Sequence, residues 1–150
     1  MSTRKHVHEE NFAASPNQLF ALLHTPSAIR DWWSASRAIV IPEVGGTWAA
    51  TWGEQEDEPD YAAAATILHF EAPRRMVLGN YQYHAKAGKL PFEADFVTEF
   101  LIIPLTDGTI LRVTQDGFPM GEAADAHLAG CVQGWKDTFQ GIRRFLGEST

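Results

Sequence analysis

The segment from Glu122 to Leu146 carries a hydrophobic repeat that only a long amphipathic helix satisfies. Gly147 follows it, where a left-handed C-cap is expected. At about 1.5 Å per residue such a helix is about 37 Å long, and it must bury its apolar stripe against another element. The apolar side chains that fall within an arc of about 100° are Ala124, Leu128, Cys131, Val132, Trp135, Phe139, Ile142 and Leu146.

The centre of the chain, residues 38–116, is typical of antiparallel strands and supplies the surface that this helix needs. Trp48 and Trp52 alternate with threonines, and this period of two places both indoles on one sheet face. Short turns join the strands, which indicates a meander. The predicted strand pairs are 64–70 with 76–83, and 96–105 with 109–116.

The N-terminal part predicts a strand at residues 6–12, followed by two short helices in tandem. Ser15, Pro16 and Gln18 form a capping-box pattern at the first helix start. Thr25 and a following proline mark the second start. No linker or repeat divides the sequence, so we expect one α+β domain over residues 1–150.

Three glycines, Gly130, Gly134 and Gly141, lie on one flank of the predicted C-terminal helix. Each costs about 1 kcal/mol relative to alanine inside a helix. Either another element packs very closely against this flank, or space remains there for a ligand. Both explanations can hold at once.

The aromatic content predicts a pocket, because five Trp, nine Phe and three Tyr exceed what most small cores need. A curved sheet cannot follow a straight helix along its whole length, so space is expected at one end. Rings with a few polar groups are typical of small-molecule sites, although plain core packing remains the competing interpretation for any single ring. The candidate cavity-lining residues are Trp32, Trp33, Trp48, Trp52, Phe70, Tyr81, Tyr83, Phe100, Gln115, His127, Cys131 and Trp135.

The polar residues predicted to line the cavity are identified by their position in the strand and helix periods. Gln115 alternates with Val113 and therefore should face the same side, where a buried amide needs a partner or a ligand; exposure at an edge is the alternative. His127 lies on the glycine flank, and Cys131, the single cysteine, reads as a small thiol in the helix core face. The pattern of residues 76–83 does not decide which face of that strand points inward.

The charge pattern excludes several classes of function. A net charge of −7 and the lack of a basic footprint argue against binding to nucleic acid or to anionic membranes. The arginine pairs at 74–75 and 143–144 are interpreted as solvated surface residues. No apolar run reaches the roughly 18 residues of a membrane span, and the start lacks a signal peptide, so we expect no membrane insertion and a cytoplasmic location. The scattered histidines predict no metal, and no cofactor or catalytic motif is found.

Six segments in their order along the chain carry a family resemblance: 14–22, 26–33, 45–48, 70–77, 108–118 and 134–135. Together with the order of the elements they resemble the START-type helix-grip superfamily (SRPBCC, the birch-pollen-allergen fold). Within it the chain is similar to the activator of heat shock protein 90 ATPase homologue group. The resemblance implies a curved antiparallel sheet of six to seven strands around the long C-terminal helix, over an apolar cavity. It also implies a function of the kind found among members, which bind lipids, hormones or polyketides, while a few are enzymes.

Three functions therefore follow as expectations. The first is binding of a small hydrophobic or aromatic ligand in the cavity, by a monomer or weak dimer. The second is a cyclase- or aromatase-like enzyme that uses the same cavity. The third is a module that contacts a chaperone or regulator through the acidic loop at residues 54–60.

Overall fold

A computed structural model describes residues 3–55 and 57–148 of the chain. Its seven strands form one curved antiparallel sheet in the order β1-β7-β6-β5-β4-β3-β2. This arrangement confirms the predicted α+β helix-grip fold and the meander. The elements are β1 (Thr3–Phe12), α1 (Pro16–His24), α2 (Pro26–Trp32), β2 (Arg37–Val40), β3 (Thr47–Trp52), β4 (Tyr61–Glu71), β5 (Arg75–Ala85), β6 (Val97–Leu105), β7 (Gly108–Pro119) and α3 (Glu122–Leu146).

The helix α1 is fixed at both ends by side-chain hydrogen bonds. At its start, Ser15 and Gln18 form the predicted capping box. At its end, side-chain donors satisfy carbonyls that a helix terminus otherwise leaves without partners. Thr25 Oγ1 donates to the Ala21 carbonyl (2.6 Å), Trp32 Nε1 donates to the Leu22 carbonyl (2.9 Å), and Trp48 Nε1 donates to the Leu23 carbonyl (3.0 Å). Thr25 is the N-cap of α2, as predicted, but its hydroxyl is committed to α1 and makes no capping hydrogen bond to α2.

The long helix α3 has the predicted bounds and ends at Gly147 in a left-handed conformation, with φ of 76°. Its buried side chains include Trp135, Phe139 and Ile142, which belong to the core. An ion pair joins its last turn to β1: Arg143 Nη2 lies 2.7 Å from Glu10 Oε1. The solvated interpretation of Arg143 was therefore wrong, since the Arg143 side chain is only 19% exposed.

A β-bulge in β5 determines which residues of that strand face inward. Gly79 pairs with Thr66 and Gln82 pairs with Ala64, so two β5 residues stand opposite one β4 residue. Asn80, one of the two, has φ of 52°. The alternation changes phase at this point, and Leu78, Tyr81 and Tyr83 all line the same interior space. Strict alternation of inward and outward residues therefore could not have identified the inward face of β5.

Candidate functional site

An open pocket with a volume of about 500 Å³ lies against the middle of α3. We call it the helix pocket. One wall is the glycine flank of α3, and the facing wall is formed by indoles of the α2 end and β3. Its lining residues are Trp33, Trp52, Tyr61, Gln115, Ala126, His127, Gly130, Cys131, Gly134, Trp135 and Thr138.

The three glycines of α3 divide between two roles. A Cβ placed on Gly130 or Gly134 would have no atom within 4 Å, so these two positions leave open space on the pocket wall. A Cβ on Gly141 would overlap the carbonyl oxygen of Trp32, so that position allows α2 and α3 to pack closely. Both sequence-based explanations for the glycine flank therefore apply, at different residues.

A second, smaller cavity of about 100 Å³ lies between the sheet and α3. We call it the inner pocket. Five residues line both pockets, namely Trp33, Trp52, Tyr61, Gln115 and Trp135. The two pockets are therefore adjacent and share these walls. The inner pocket is completed by Trp48, Ala63, Leu78, Tyr81, Tyr83 and Thr98.

Trp33 is the centre of the aromatic wall. Its ring stacks on Trp32 with a centroid distance of 4.9 Å and an interplanar angle of 21°. The rings of Trp48, Trp52 and Trp135 lie 5.5, 5.7 and 5.3 Å from it, at inclined angles. The Trp33 carbonyl also accepts a hydrogen bond of 2.9 Å from Trp52 Nε1. Contacts on several sides hold this indole in place and give the pocket a rigid flat surface.

The polar groups of the inner pocket include three tyrosine hydroxyls, the hydroxyl of Thr98 and the amide of Gln115. Tyr81 donates its hydroxyl proton to Thr98 Oγ1 at 2.7 Å and stacks on Tyr83, with ring centroids 5.2 Å apart. Burial raises the pKa of Tyr81 and Tyr83 and raises the pKa of Tyr61 to about 12. All three phenols are therefore uncharged at neutral pH.

His127 and Cys131 lie one helical turn apart on the pocket wall, with His127 Nε2 3.6 Å from Cys131 Sγ. Burial lowers the pKa of His127 and raises the pKa of Cys131 to about 11. The pair is thus an imidazole and a thiol, both neutral, and the thiolate needed for nucleophilic attack is scarce at pH 7. The prediction that Cys131 lies in the helix core was wrong, because its side chain is half-buried at the pocket wall.

Gln115 lies on the inner face of β7, as its alternation with Val113 predicted, and lines both pockets. Its Oε1 accepts a hydrogen bond of 3.0 Å from Trp135 Nε1. The amide therefore joins the sheet to α3 at the boundary between the two pockets.

Nine of the twelve predicted cavity residues line the helix pocket or the inner pocket, and three do not. Trp32 is 2% exposed and packs beneath Trp33, and Phe100 is 1% exposed in the core under Trp135. Phe70 packs against Phe20, away from both pockets. These three rings were misplaced because alternation identifies the inward face of an element without locating where the interior remains unfilled.

Tyr61, Ala126 and Thr138 line the helix pocket although sequence reasoning did not select them. Tyr61 lies at the start of β4, ahead of the predicted strand. Thr138 follows Trp135 by three residues, so helical spacing could have identified it.

In residues 3–55 and 57–148, His, Cys, Asp and Glu form no group of three that could hold a metal ion. No helix in those ranges combines the length and apolar character that a bilayer crossing requires. The acidic loop is exposed at Glu54 and at 57–58, and its Glu56 lies outside the described residues.

The sequence profile of a family described as Activator of Hsp90 ATPase homolog 1-like protein matches residues 13–147. No curated protein matches the sequence. Similar solved structures include a Rhodobacter sphaeroides protein with TM-score 0.76 and 20% identity, covering 95% of this chain and 91% of that one. A Mesorhizobium loti protein has TM-score 0.75 and 22% identity, covering 96% and 97%. A protein described as an HSP90 activator from Plasmodium falciparum has TM-score 0.73 and 17% identity, covering 97% of each chain. These three likenesses are of fold alone.

Proposed function

The chain belongs to the Activator of Hsp90 ATPase homolog 1-like family, and from this premise we propose that it binds a small, uncharged, aromatic or hydrophobic ligand in the helix pocket. The observation that carries the proposal is the open space at Gly130 and Gly134 opposite the rings of Trp33 and Trp52. Two helix glycines that leave a void cost stability without improving packing. A ligand that occupies the void accounts for them.

The chemistry of the walls supports an uncharged ligand. Among the described residues that line the helix and inner pockets, none is Asp, Glu, Lys or Arg. A carboxylate or ammonium group taken into these pockets would lose its hydration and find no opposite charge, which is costly. The polar groups present are neutral amides, hydroxyls, an imidazole and a thiol, which can orient a neutral ligand.

An enzyme that uses the same pocket is the weaker alternative. General acid-base catalysis is most effective with groups whose pKa lies near the working pH. Burial raises the pKa of Cys131 to about 11 and that of Tyr61 to about 12, so both groups keep their protons at neutral pH. His127, whose pKa burial lowers, is a neutral imidazole that can accept a proton, but the described pocket residues include no Asp or Glu to orient it.

A role as a chaperone or regulator partner also has less support. The Plasmodium falciparum protein is described as an HSP90 activator, and its likeness to this chain is one of fold at 17% identity. The acidic loop at residues 54–60 is the one feature that sequence reasoning offered for a basic partner, and exposed charged loops are ordinary surface. Ligand binding therefore remains the leading function.

The test replaces a glycine of the pocket wall with a larger residue that fills part of the pocket. Binding of neutral aromatic probes, fluorene among them, is measured by equilibrium dialysis with chromatographic quantification. We expect Gly134→Leu to weaken binding at least tenfold, while Gly134→Ala, which adds one methyl group, retains most of it. Gln133→Leu places the same side chain on the exposed face of α3 and is the matched control. Unchanged affinity in Gly134→Leu, or no saturable binding by any probe, would contradict the proposal.

A further inference from the structure

We propose that Trp135 orients the amide of Gln115 so that it offers only hydrogen-bond donors to the pocket. The site then selects neutral aromatic ligands that carry an acceptor, such as a ketone oxygen, over those that carry a donor. This inference rests on the proposed function and specifies the ligand class of the same site.

The orientation follows from the chemistry of one hydrogen bond. Trp135 Nε1 lies 3.0 Å from Gln115 Oε1, and an indole N–H can only donate. The amide oxygen must therefore face Trp135, and the NH₂ group must point away from it. An amide without such a partner could turn over and present either its oxygen or its nitrogen.

Both partners of this hydrogen bond are held in place. Trp135 is 6% exposed and makes edge contacts with the rings of Phe100 at 5.9 Å and Phe139 at 6.2 Å. Gln115 lies within β7, between Thr98 of β6 and His6 of β1 in the sheet register. Neither side can move away without disturbing the core.

The NH₂ group of Gln115 is free to meet a ligand. Within the described residues, the bond to Trp135 is the one side-chain hydrogen bond of Gln115. The hydroxyl of the neighbouring Thr98 already accepts from Tyr81. Because Gln115 lines both pockets, we place its two N–H donors at the boundary between the helix pocket and the inner pocket.

Selectivity follows from what each ligand leaves unsatisfied. A ketone oxygen can accept from the Gln115 NH₂ group, whereas a ligand with only an N–H group would place two donors face to face. Donors that lose water without gaining an acceptor are penalised, and one such mismatch corresponds to about a tenfold change in affinity. A hydrocarbon of the same shape should fall between the two.

The test uses three flat tricyclic probes of matched shape: 9-fluorenone, which only accepts; carbazole, which only donates; and fluorene, which does neither. Their affinities for the full chain are measured by equilibrium dialysis. We expect fluorenone to bind about tenfold tighter than fluorene, and carbazole no tighter than fluorene.

Two variants separate the positioning role of Trp135 from its packing. In Trp135→Phe the amide can turn over, so the ratio of fluorenone to carbazole affinity should fall toward one, whatever the change in affinity for fluorene. Gln115→Glu, measured at pH 8.5 so that the carboxyl is ionised, retains an acceptor for Trp135 but replaces the NH₂ group with an oxygen, so the preference should invert in favour of carbazole. The second variant leaves Trp135 in place and keeps the test decisive if Trp135→Phe fails to fold.

The outcomes distinguish this inference from the proposed function. If all three probes bind the wild-type protein equally, the inference is wrong and ligand binding stands. If Gln115→Glu keeps the wild-type order, the amide does not set selectivity and the inference is wrong. If none of the probes binds, the proposed function fails and the inference fails with it.

Discussion

The backbone of Gly141 in α3 packs directly against the carbonyl oxygen of Trp32 at the end of α2, so that a Cβ at position 141 would overlap that oxygen. Two turns earlier, Gly134 on the same flank faces open space. One end of the glycine flank thus brings two helices together, and the other end leaves a void. The contact at Gly141 fixes the angle at which α2 holds Trp33 over that void.

The glycines should respond in opposite directions to the same substitution. Gly130→Ala and Gly134→Ala remove a flexible helix residue without a clash, so each should raise the free energy of unfolding by up to about 1 kcal/mol. Gly141→Ala should lower it by about 1–3 kcal/mol, because either α2 or α3 must shift. Urea denaturation followed by circular dichroism measures all three. Equal effects at the three positions would contradict the assignment of void and contact.

The ion pair of Arg143 should be important for attaching α3 to β1. Arg143 donates to Glu10 at 2.7 Å, contacts Glu148 at 3.7 Å and lies 4.4 Å above the ring of Phe12. Arg143→Met would remove these interactions from the partly buried Glu10 carboxylate, whose remaining side-chain partner is His8 Nε2 at 2.7 Å. We expect a loss of about 2 kcal/mol in the free energy of unfolding, measured by urea denaturation.

The exposed neighbour Arg144 provides the control for that substitution. Arg144→Met removes the same charge and should change stability by less than about 0.5 kcal/mol. A double-mutant cycle that pairs Arg143→Met with Glu10→Gln isolates the interaction. A coupling energy near zero would show that the pair does not hold the helix.

His127 should make stability depend on pH in a defined direction. Burial lowers its pKa in the folded protein below the ordinary value of 6.5, and its ring is enclosed by Phe92, Phe96 and Phe118. Below about pH 6.5 the unfolded chain takes up a proton at His127 before the folded chain does, so stability falls as pH decreases through that range. Well above pH 6.5, where His127 is deprotonated in both the folded and the unfolded chain, this residue contributes no pH dependence.

The measurement compares the wild type with His127→Gln by urea denaturation between pH 7.5 and 5. The difference in free energy of unfolding between the two proteins should change across the acidic part of this range and be constant above it. His84→Gln, at an exposed position in β5, controls for the loss of a histidine. Parallel pH curves for wild type and His127→Gln would contradict the prediction.

Cys131 should be a slow nucleophile that the ligand protects. Its pKa is raised to about 11 by burial, so little thiolate exists at pH 7.5. We expect iodoacetamide to modify it much more slowly than free cysteine at pH 7.5, with the rate rising steeply toward pH 10. Intact mass spectrometry follows the reaction, and a saturating neutral aromatic probe should slow it further. Rapid modification at pH 7.5 that no probe affects would place the thiol outside the proposed site.

The periodic elements were predictable because their patterns are local. The stripe of α3 repeats with the helical period over seven turns, and its bounds agree with the structure. The capping box at Ser15 and the alternation of Trp48 and Trp52 with threonines likewise depend on residues a few positions apart. The inward direction of Gln115 followed from the same alternation.

The misplaced residues depend on contacts between distant segments. Phe70 and Phe100 face inward, as a strand pattern predicts, but other side chains already fill the space around them. Arg143 was assigned to solvent because Glu10, its partner, is 133 residues away in sequence. The β5 bulge at Asn80 changes the phase of a strand, and alternation alone gives no sign of it.

The amino-acid sequence by itself determined the elements, their order and, outside β5, the face that most of them bury, because backbone propensity and hydrophobic periodicity act over a few residues. Only the tertiary structure decided where the interior stays empty. That depends on how far the curved sheet departs from the straight axis of α3, and hence on which glycine meets Trp32 and which meets open space. A void is a property of several surfaces at once, and no single segment of the chain encodes it.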